Sequence, residues 1–224
     1  MGRIAVAVAA WACVAGVWAQ QAEASRREAE AAKALPGLVR YYAFRTGEAV
    51  QPDLAGSEAA MRHRPEGGRA VTSEVGRVSG TRAVVLDGDC FEAPALTQVS
   101  NAFTVALWVR PLALGSKRGN AEAANGMLVC SGSGYTDGWR LAVYDWKTRR
   151  PTLDIGREKG SLGIRAADGL SAGFWTHLAA TWDGATVRLY VNGTLSVEQA
   201  YAGAAVAPQS GLRVGYAGYG VGSL

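Results

Sequence analysis

Few side chains in this 224-residue sequence have the type and spacing that bond-breaking chemistry requires. Cleaving a glycosidic bond takes two carboxylates on either side of the linkage. Asp87 and Asp89 are close enough to share a strand face, but they sit in a glycine-rich stretch that reads as a turn. A serine nucleophile would need a Gly-x-Ser-x-Gly elbow, and Gly132-Ser133-Gly134 lacks that spacing. His63 and His177 are the only histidines, and no cysteine has a second one at two-residue spacing, so a zinc site has little to draw on. Gly215 to Gly222 carries no lysine and precedes no helix, which argues against a phosphate loop. What remains is a set of aromatic and hydrogen-bonding residues, Trp108, Arg110, Trp175, His177 and Tyr190, whose chemistry is recognition.

The elements that position them are short and extended. From Leu38 onward, apolar residues recur at period two between glycine, proline, asparagine and aspartate, and no helical period of useful length recurs. Phe103 to Val109 is the clearest strand, with Phe103, Val105, Leu107 and Val109 on one face and Thr104, Ala106 and Trp108 on the other. Leu38 to Phe44, Ala83 to Leu86, Met127 to Cys130, Trp139 to Tyr144 and Leu153 to Ile155 are further strands; Met61 to Gly80 is too polar and uneven to assign. Trp175 to Trp182 alternates again. Thr186 to Val191 and Thr194 to Val197 flank Asn192-Gly193, the pair that suits a type I′ hairpin turn, which needs positive φ at both central positions. A two-residue loop then sets Tyr190 opposite Leu195 and Val191 opposite Thr194, so both faces of this hairpin are partly apolar. Asn192-Gly193-Thr194 is also a glycosylation sequon, although the turn alone accounts for the asparagine.

The bulk composition fits one sandwich domain. Twenty-nine glycines with 19% charged residues indicate many turns joining short strands, and a net charge of +4 without a long basic run excludes a nucleic-acid arm. The run Lys147-Thr148-Arg149-Arg150 reads as a solvated hairpin tip. Residues 1–24 have the basic start, apolar run and small residues of a secretory signal, too short to span a bilayer, so no membrane span is expected after its cleavage. Residues 25–37 read as a spacer with helical composition that ends at Pro36-Gly37. Cys13 would leave with the signal. Cys90 and Cys130 then form an even pair in an oxidising compartment, and a disulfide between them is expected ahead of two buried thiols.

Two segments in this order resemble a known family: Asn101 to Pro111 (NAFTVALWVRP), and Trp175 to Gly184 (WTHLAATWDG) leading into Leu189 to Gly193 (LYVNG). They are similar to laminin-G-like members of the concanavalin A-like lectin/glucanase superfamily. Ala83 to Gly88 and Pro52 to Gly56 resemble flanking parts of the same pattern. The resemblance implies an all-β jelly-roll over residues 38–224: two antiparallel sheets, one concave, with a short helical signal and spacer before them. It also implies a further strand after Leu212 to Gly215, with an Asp-Glu-Val-like segment that this sequence lacks. A structural calcium of the family type would draw part of its coordination from that region, and Asp53 alone does not make a site. The Glu-x-Asp-x-x-Glu strand of the family's glycosidases does not occur.

The expected function is accordingly a secreted or extracytoplasmic module that binds a carbohydrate or an extracellular protein and has no catalysis of its own. By alternation, Trp108, Arg110, Trp175, His177 and Tyr190 oppose the core-facing residues and line the concave side, where aromatic faces suit the C–H faces of sugars. The competing reading makes these aromatics packed rungs under loops. The alternatives at the level of function are a glycosidase relative with other carboxylates and a structural spacer.

Overall fold

The computed structural model describes residues 23, 26–27, 30–45, 47–65, 70–78, 81–86, 89–96, 102–111, 126–144 and 148–215. The expected signal (1–24) therefore lies almost wholly outside the described residues, as do Asp87, Gly88, Lys147 and the glycine-rich end from 216. Among the described residues, 23, 26–27 and 30–33 are helical, all but the first within the expected spacer. Everything else that is regular is strand: β1 (Val50–Gln51), β2 (Met61–Arg64), β3 (Thr72–Val75), β4 (Arg82–Val85), β5 (Cys90–Ala93), β6 (Phe103–Val109), β7 (Gly126–Ser131), β8 (Trp139–Tyr144), β9 (Arg150–Gly156), β10 (Ser161–Arg165), β11 (Thr176–Trp182), β12 (Thr186–Val191), β13 (Thr194–Ala200) and β14 (Leu212–Gly215).

The chain divides into two compact units. The first, Met1–Met61 with Ala70–Val85, contains β1 and the antiparallel pair of β3 and β4. Its expected opening strand, Leu38 to Phe44, joins no ladder; Phe44 sits at φ 50°, outside the β region. Asp53 organises the loop after it. Its carboxylate accepts the N–H groups of Tyr41 and Ala55 at 2.9 Å each and the Ser57 hydroxyl, with Arg40 at 3.6 Å. No group of three or more His, Cys, Asp or Glu side chains that could hold a metal ion occurs among the described residues.

The second unit, Arg62–Arg69 with Leu86–Leu224, is a two-sheet antiparallel sandwich. The smaller sheet runs β13-β12-β11-β6, and the larger runs β2-β5-β14-β7-β8-β9-β10. Alternation decides which residues meet between them. In β11, Thr176, Leu178, Ala180 and Trp182 are buried while His177, Ala179 and Thr181 are half-buried. In β6, the outermost strand of its sheet, Phe103, Val105, Leu107 and Val109 are the sheltered residues. Phe103 stacks across the interior on Trp139 of β8 (centroids 5.3 Å) and meets Trp182 edge-on (6.1 Å). Leu141, Leu153, Ile155, Leu178 and Leu189 are fully buried in the two sheets. The type I′ turn is present, with Asn192 at φ 50° and Gly193 at φ 81°, and Tyr190 does pair with Leu195 and Val191 with Thr194. A bulge follows, so that Leu189 pairs with Val197.

The expected disulfide is not there. Cys90 and Cys130 are both free and buried, and the reason is the order of strands. β14 lies between β5 and β7, with Gly215 opposite Cys90 and Arg213 opposite Cys130. Two strand spacings are roughly 9.6 Å, beyond the about 4.4–6.8 Å that a bridge spans between Cα atoms. Burial pushes the Cys130 thiol up to about 11 and raises that of Cys90, so neither supplies thiolate near neutrality. Alkylation of the denatured, unreduced protein followed by peptide mapping is expected to find Cys90 and Cys130 each carrying the label. A linked peptide containing both would contradict this strand order.

Candidate functional site

The outward faces of the two sheets carry different chemistry. On the smaller sheet, register places Trp108 of β6 directly opposite His177 of β11, and their rings are 5.0 Å apart. Leu195, Tyr190, Ala179 and Ala106 make the next row in strand order, with the two alanines adjacent at the β6 edge beside Tyr190. Just beyond the ends of the strands the Arg110 guanidinium lies 5.2 Å from the centre of the Trp175 ring. The structure thus brings Trp108 to His177 and Arg110 to Trp175, with Tyr190 one row along on the same face. Trp108 is 44% exposed, while Trp175, His177 and Tyr190 are half-buried. Asn192 fixes the strand beneath: its Oδ1 accepts the His177 N–H at 2.9 Å, and its own N–H donates to the His177 carbonyl at 2.8 Å.

A depression lies on the other sheet. A groove of about 640 Å3 is lined by Tyr135, Arg140, Arg150, Thr152, Asp154, Gly163 and Arg165. In β8, β9 and β10 the inward residues include Leu141, Leu153, Ile155, Leu162 and Ile164, and Arg140, Thr152, Asp154, Gly163 and Arg165 alternate with them. At the floor Arg140 donates to Asp154 at 2.9 Å, both side chains nearly buried. The ring of Tyr135 covers the Arg140 guanidinium at 3.4 Å, itself half exposed. Gly163 faces Asp154 across the β9–β10 ladder, and a Cβ there would come within 2.8 Å of Asp154 Oδ1, so glycine keeps the groove open at that point. Arg150 Nε donates to the Ala166 carbonyl, and Arg165 Nε donates to the Thr152 hydroxyl at 3.3 Å.

Arg150 also corrects the reading of the basic run as a solvated tip. It is the first residue of β9 and half-buried in the groove wall; of the run's described residues, only Thr148 is exposed.

The loop that holds Tyr135 over Arg140 depends on glycines and one carboxylate. Gly132, Gly134 and Gly138 have φ of 85°, 73° and 59°, and a Cβ on Gly134 would lie 2.4 Å from Arg140 Cγ. Asp137 accepts the Ser133 N–H at 3.1 Å on one oxygen and the Gln209 N–H at 2.7 Å on the other. Burial alone would raise its pKa; the hydrogen bonds from Gln209 and Ser133 outweigh that and hold it below the ordinary carboxylate range.

Comparison with known proteins places this architecture. The family model Laminin_G_3, described as the concanavalin A-like lectin/glucanases superfamily, matches residues 87–222. Pappalysin-1 of Mus musculus is 32% identical over 100 residues, 42% of this chain and only 6% of that protein, so the match spans a small part of the relative. Domain 4 of AbnA, a GH43 extracellular arabinanase from Geobacillus stearothermophilus solved with arabinotriose, superposes with a TM-score of 0.57 at 18% identity, covering 83% of this chain and 84% of that domain. The binding domain of Paraclostridial Mosquitocidal Protein 1 gives 0.57 at 14% identity, covering 81% of this chain and 45% of that one. These structural likenesses establish the jelly-roll fold.

Replacing Asp137 with asparagine is expected to cost about 1–3 kcal/mol at neutral pH, since charge-assisted bonds to two backbone N–H groups are weakened. A lowered folded pKa contributes stability that is complete above the ordinary carboxylate value of about 3.9 and is lost as pH falls through the lower folded value. The gap between wild type and Asp137→Asn in urea unfolding should therefore close in acid. A gap of the same size at neutral and strongly acid pH would show that the charge is not responsible.

Proposed function

Because the chain belongs to the concanavalin A-like lectin/glucanases superfamily through residues 87–222, we propose that it is an extracytoplasmic recognition module that binds a carbohydrate or protein ligand without chemistry of its own. The observation that carries this reading is the exposed indole of Trp108 on the outward face of the smaller sheet, beside His177 and one row from Tyr190 and Leu195. A half-exposed tryptophan beside a hydrogen-bonding imidazole matches a pyranose, whose faces are apolar and whose edges are polar. The Arg110–Trp175 pair extends the same surface with a guanidinium fork for hydroxyl or carboxylate oxygens. Phe174, immediately before Trp175, is 69% exposed, and an exposed aromatic patch of this kind marks a binding surface.

The structural neighbours support the same direction: one similar domain was solved with arabinotriose, and another is the binding domain of Paraclostridial Mosquitocidal Protein 1. Binding without catalysis is supported by the groove, whose lining includes one carboxylate, Asp154, already paired with Arg140. Glycoside hydrolysis by either stereochemical course takes two. Extracytoplasmic placement is supported by the signal-like composition of residues 1–24.

Trp108→Ala and Tyr190→Ala, screened on a glycan array and by titration with the best binder, are expected to weaken binding at least about tenfold. Thermal unfolding should change little for Trp108→Ala, because its side chain lies outside the core. Undiminished binding by both variants would remove this face from the function.

A further inference from the structure

We propose that the groove on the larger sheet is a second ligand site, selective for a carboxylate-bearing saccharide, with Arg150 and Arg165 receiving the carboxylate and Tyr135 flanking the sugar ring. The inference rests on the reading of the chain as a binding module and adds a site and a ligand class to it. Its volume of about 640 Å3 falls within the roughly 300–1,000 Å3 typical of small-molecule sites. The charges of the lining do not cancel. Arg140 is matched by Asp154, but Arg150 and Arg165 form no ion pair among the described residues. Each is nonetheless held in place through Nε, Arg150 on the Ala166 carbonyl and Arg165 on Thr152 Oγ1, and that same Thr152 hydroxyl donates to the Arg150 carbonyl at 3.3 Å. Anchoring at Nε leaves the two Nη groups of each fork for a ligand, and a planar fork matches a carboxylate with two parallel bonds.

Asp154 selects among anions. Its carboxylate stands beneath the space that Gly163 leaves open, so a ligand reaching the floor must bring hydroxyl donors there while presenting its negative charge to the wall. A sugar acid carries hydroxyls and a carboxylate on one ring and meets both demands. An acidic peptide brings carboxylates without neighbouring hydroxyls and would set one against Asp154. Tyr135, held over Arg140, offers an aromatic face at the rim for the ring's C–H side.

The test is calorimetric titration of the full chain with a galacturonic acid trimer, a galactose trimer that differs from it only in lacking the C6 carboxylates, and a short polyglutamate. The acid trimer is expected to bind at least about tenfold tighter than the other two, and Arg150→Gln and Arg165→Gln are each expected to weaken it about tenfold or more. Should Arg150→Gln disturb folding, Arg165→Gln carries the test, because Arg165 is exposed. Glu198→Gln, at an exposed position of β13 on the opposite sheet, should leave acid-trimer binding unchanged. Equal affinity for acid and neutral trimers, or arginine variants that bind as well as wild type, would overturn the site. Tighter binding of polyglutamate would overturn the ligand class. If the acid trimer does not bind while a Trp108-dependent ligand does, the groove fails and the module reading stands; if no ligand binds either face, both fall together.

Discussion

Phe103, stacked on Trp139 from one sheet to the other and braced by the edge of Trp182, is the contact on which the sandwich turns. Two sheets with a tightly packed interior leave no freedom in how their strands present side chains. Once Phe103, Leu178, Leu189, Leu141, Leu153 and Ile155 face inward, the residues between them must face outward. Trp108, His177 and Tyr190 are placed by that requirement on one side. Arg140, Thr152, Asp154 and Arg165 are placed by it on the other. Both candidate surfaces are consequences of the core, and neither has a loop as its main support.

The two faces differ because their rows differ in side-chain size and charge. On the smaller sheet Ala106 and Ala179 are small neighbours of Trp108 and Tyr190, giving an aromatic surface. On the larger sheet a glycine, Gly163, lies across from Asp154 at the third strand of a meander, and the Tyr135 loop rises at its edge, giving a depression. The 131–138 turn joins stability to recognition. Three left-handed glycines and the Asp137 carboxylate hold the chain where Tyr135 can cover Arg140, and the same carboxylate fastens Gln209 from a distant loop. A buried arginine is tolerated there because Asp154 and the tyrosine face accompany it.

Much of this was legible in the residues. Period-two alternation located β6, β8, β11 and β12 closely, and Asn192-Gly193 fixed both the turn and the pairing of Tyr190 with Leu195. β2, β5 and β10 are not marked in the sequence because MRHR, CFEA and SLGIR are short; burial alternates in β2 and β10 without a matching alternation of strongly apolar types, and in β5 it does not alternate. The groove could have been found: β8, β9 and β10 are consecutive, and alternation alone sends Arg140, Asp154, Thr152 and Arg165 to one face. The strength of the aromatic signal elsewhere drew attention from a row whose members are individually ordinary.

Which residues point in and which point out was settled by the sequence itself, because that choice is local: each strand carries its own alternation, and each turn its own φ requirements. Which strands lie side by side was settled only by the tertiary structure. β14 inserts between β5 and β7 although about eighty residues separate it from the nearer of them, and no local pattern announces such a neighbour. That insertion keeps Cys90 and Cys130 apart despite their even count and sets Arg213 between them. Lateral order is a property of the whole core's packing, and it determines which outward side chains become neighbours and so where a ligand can be held.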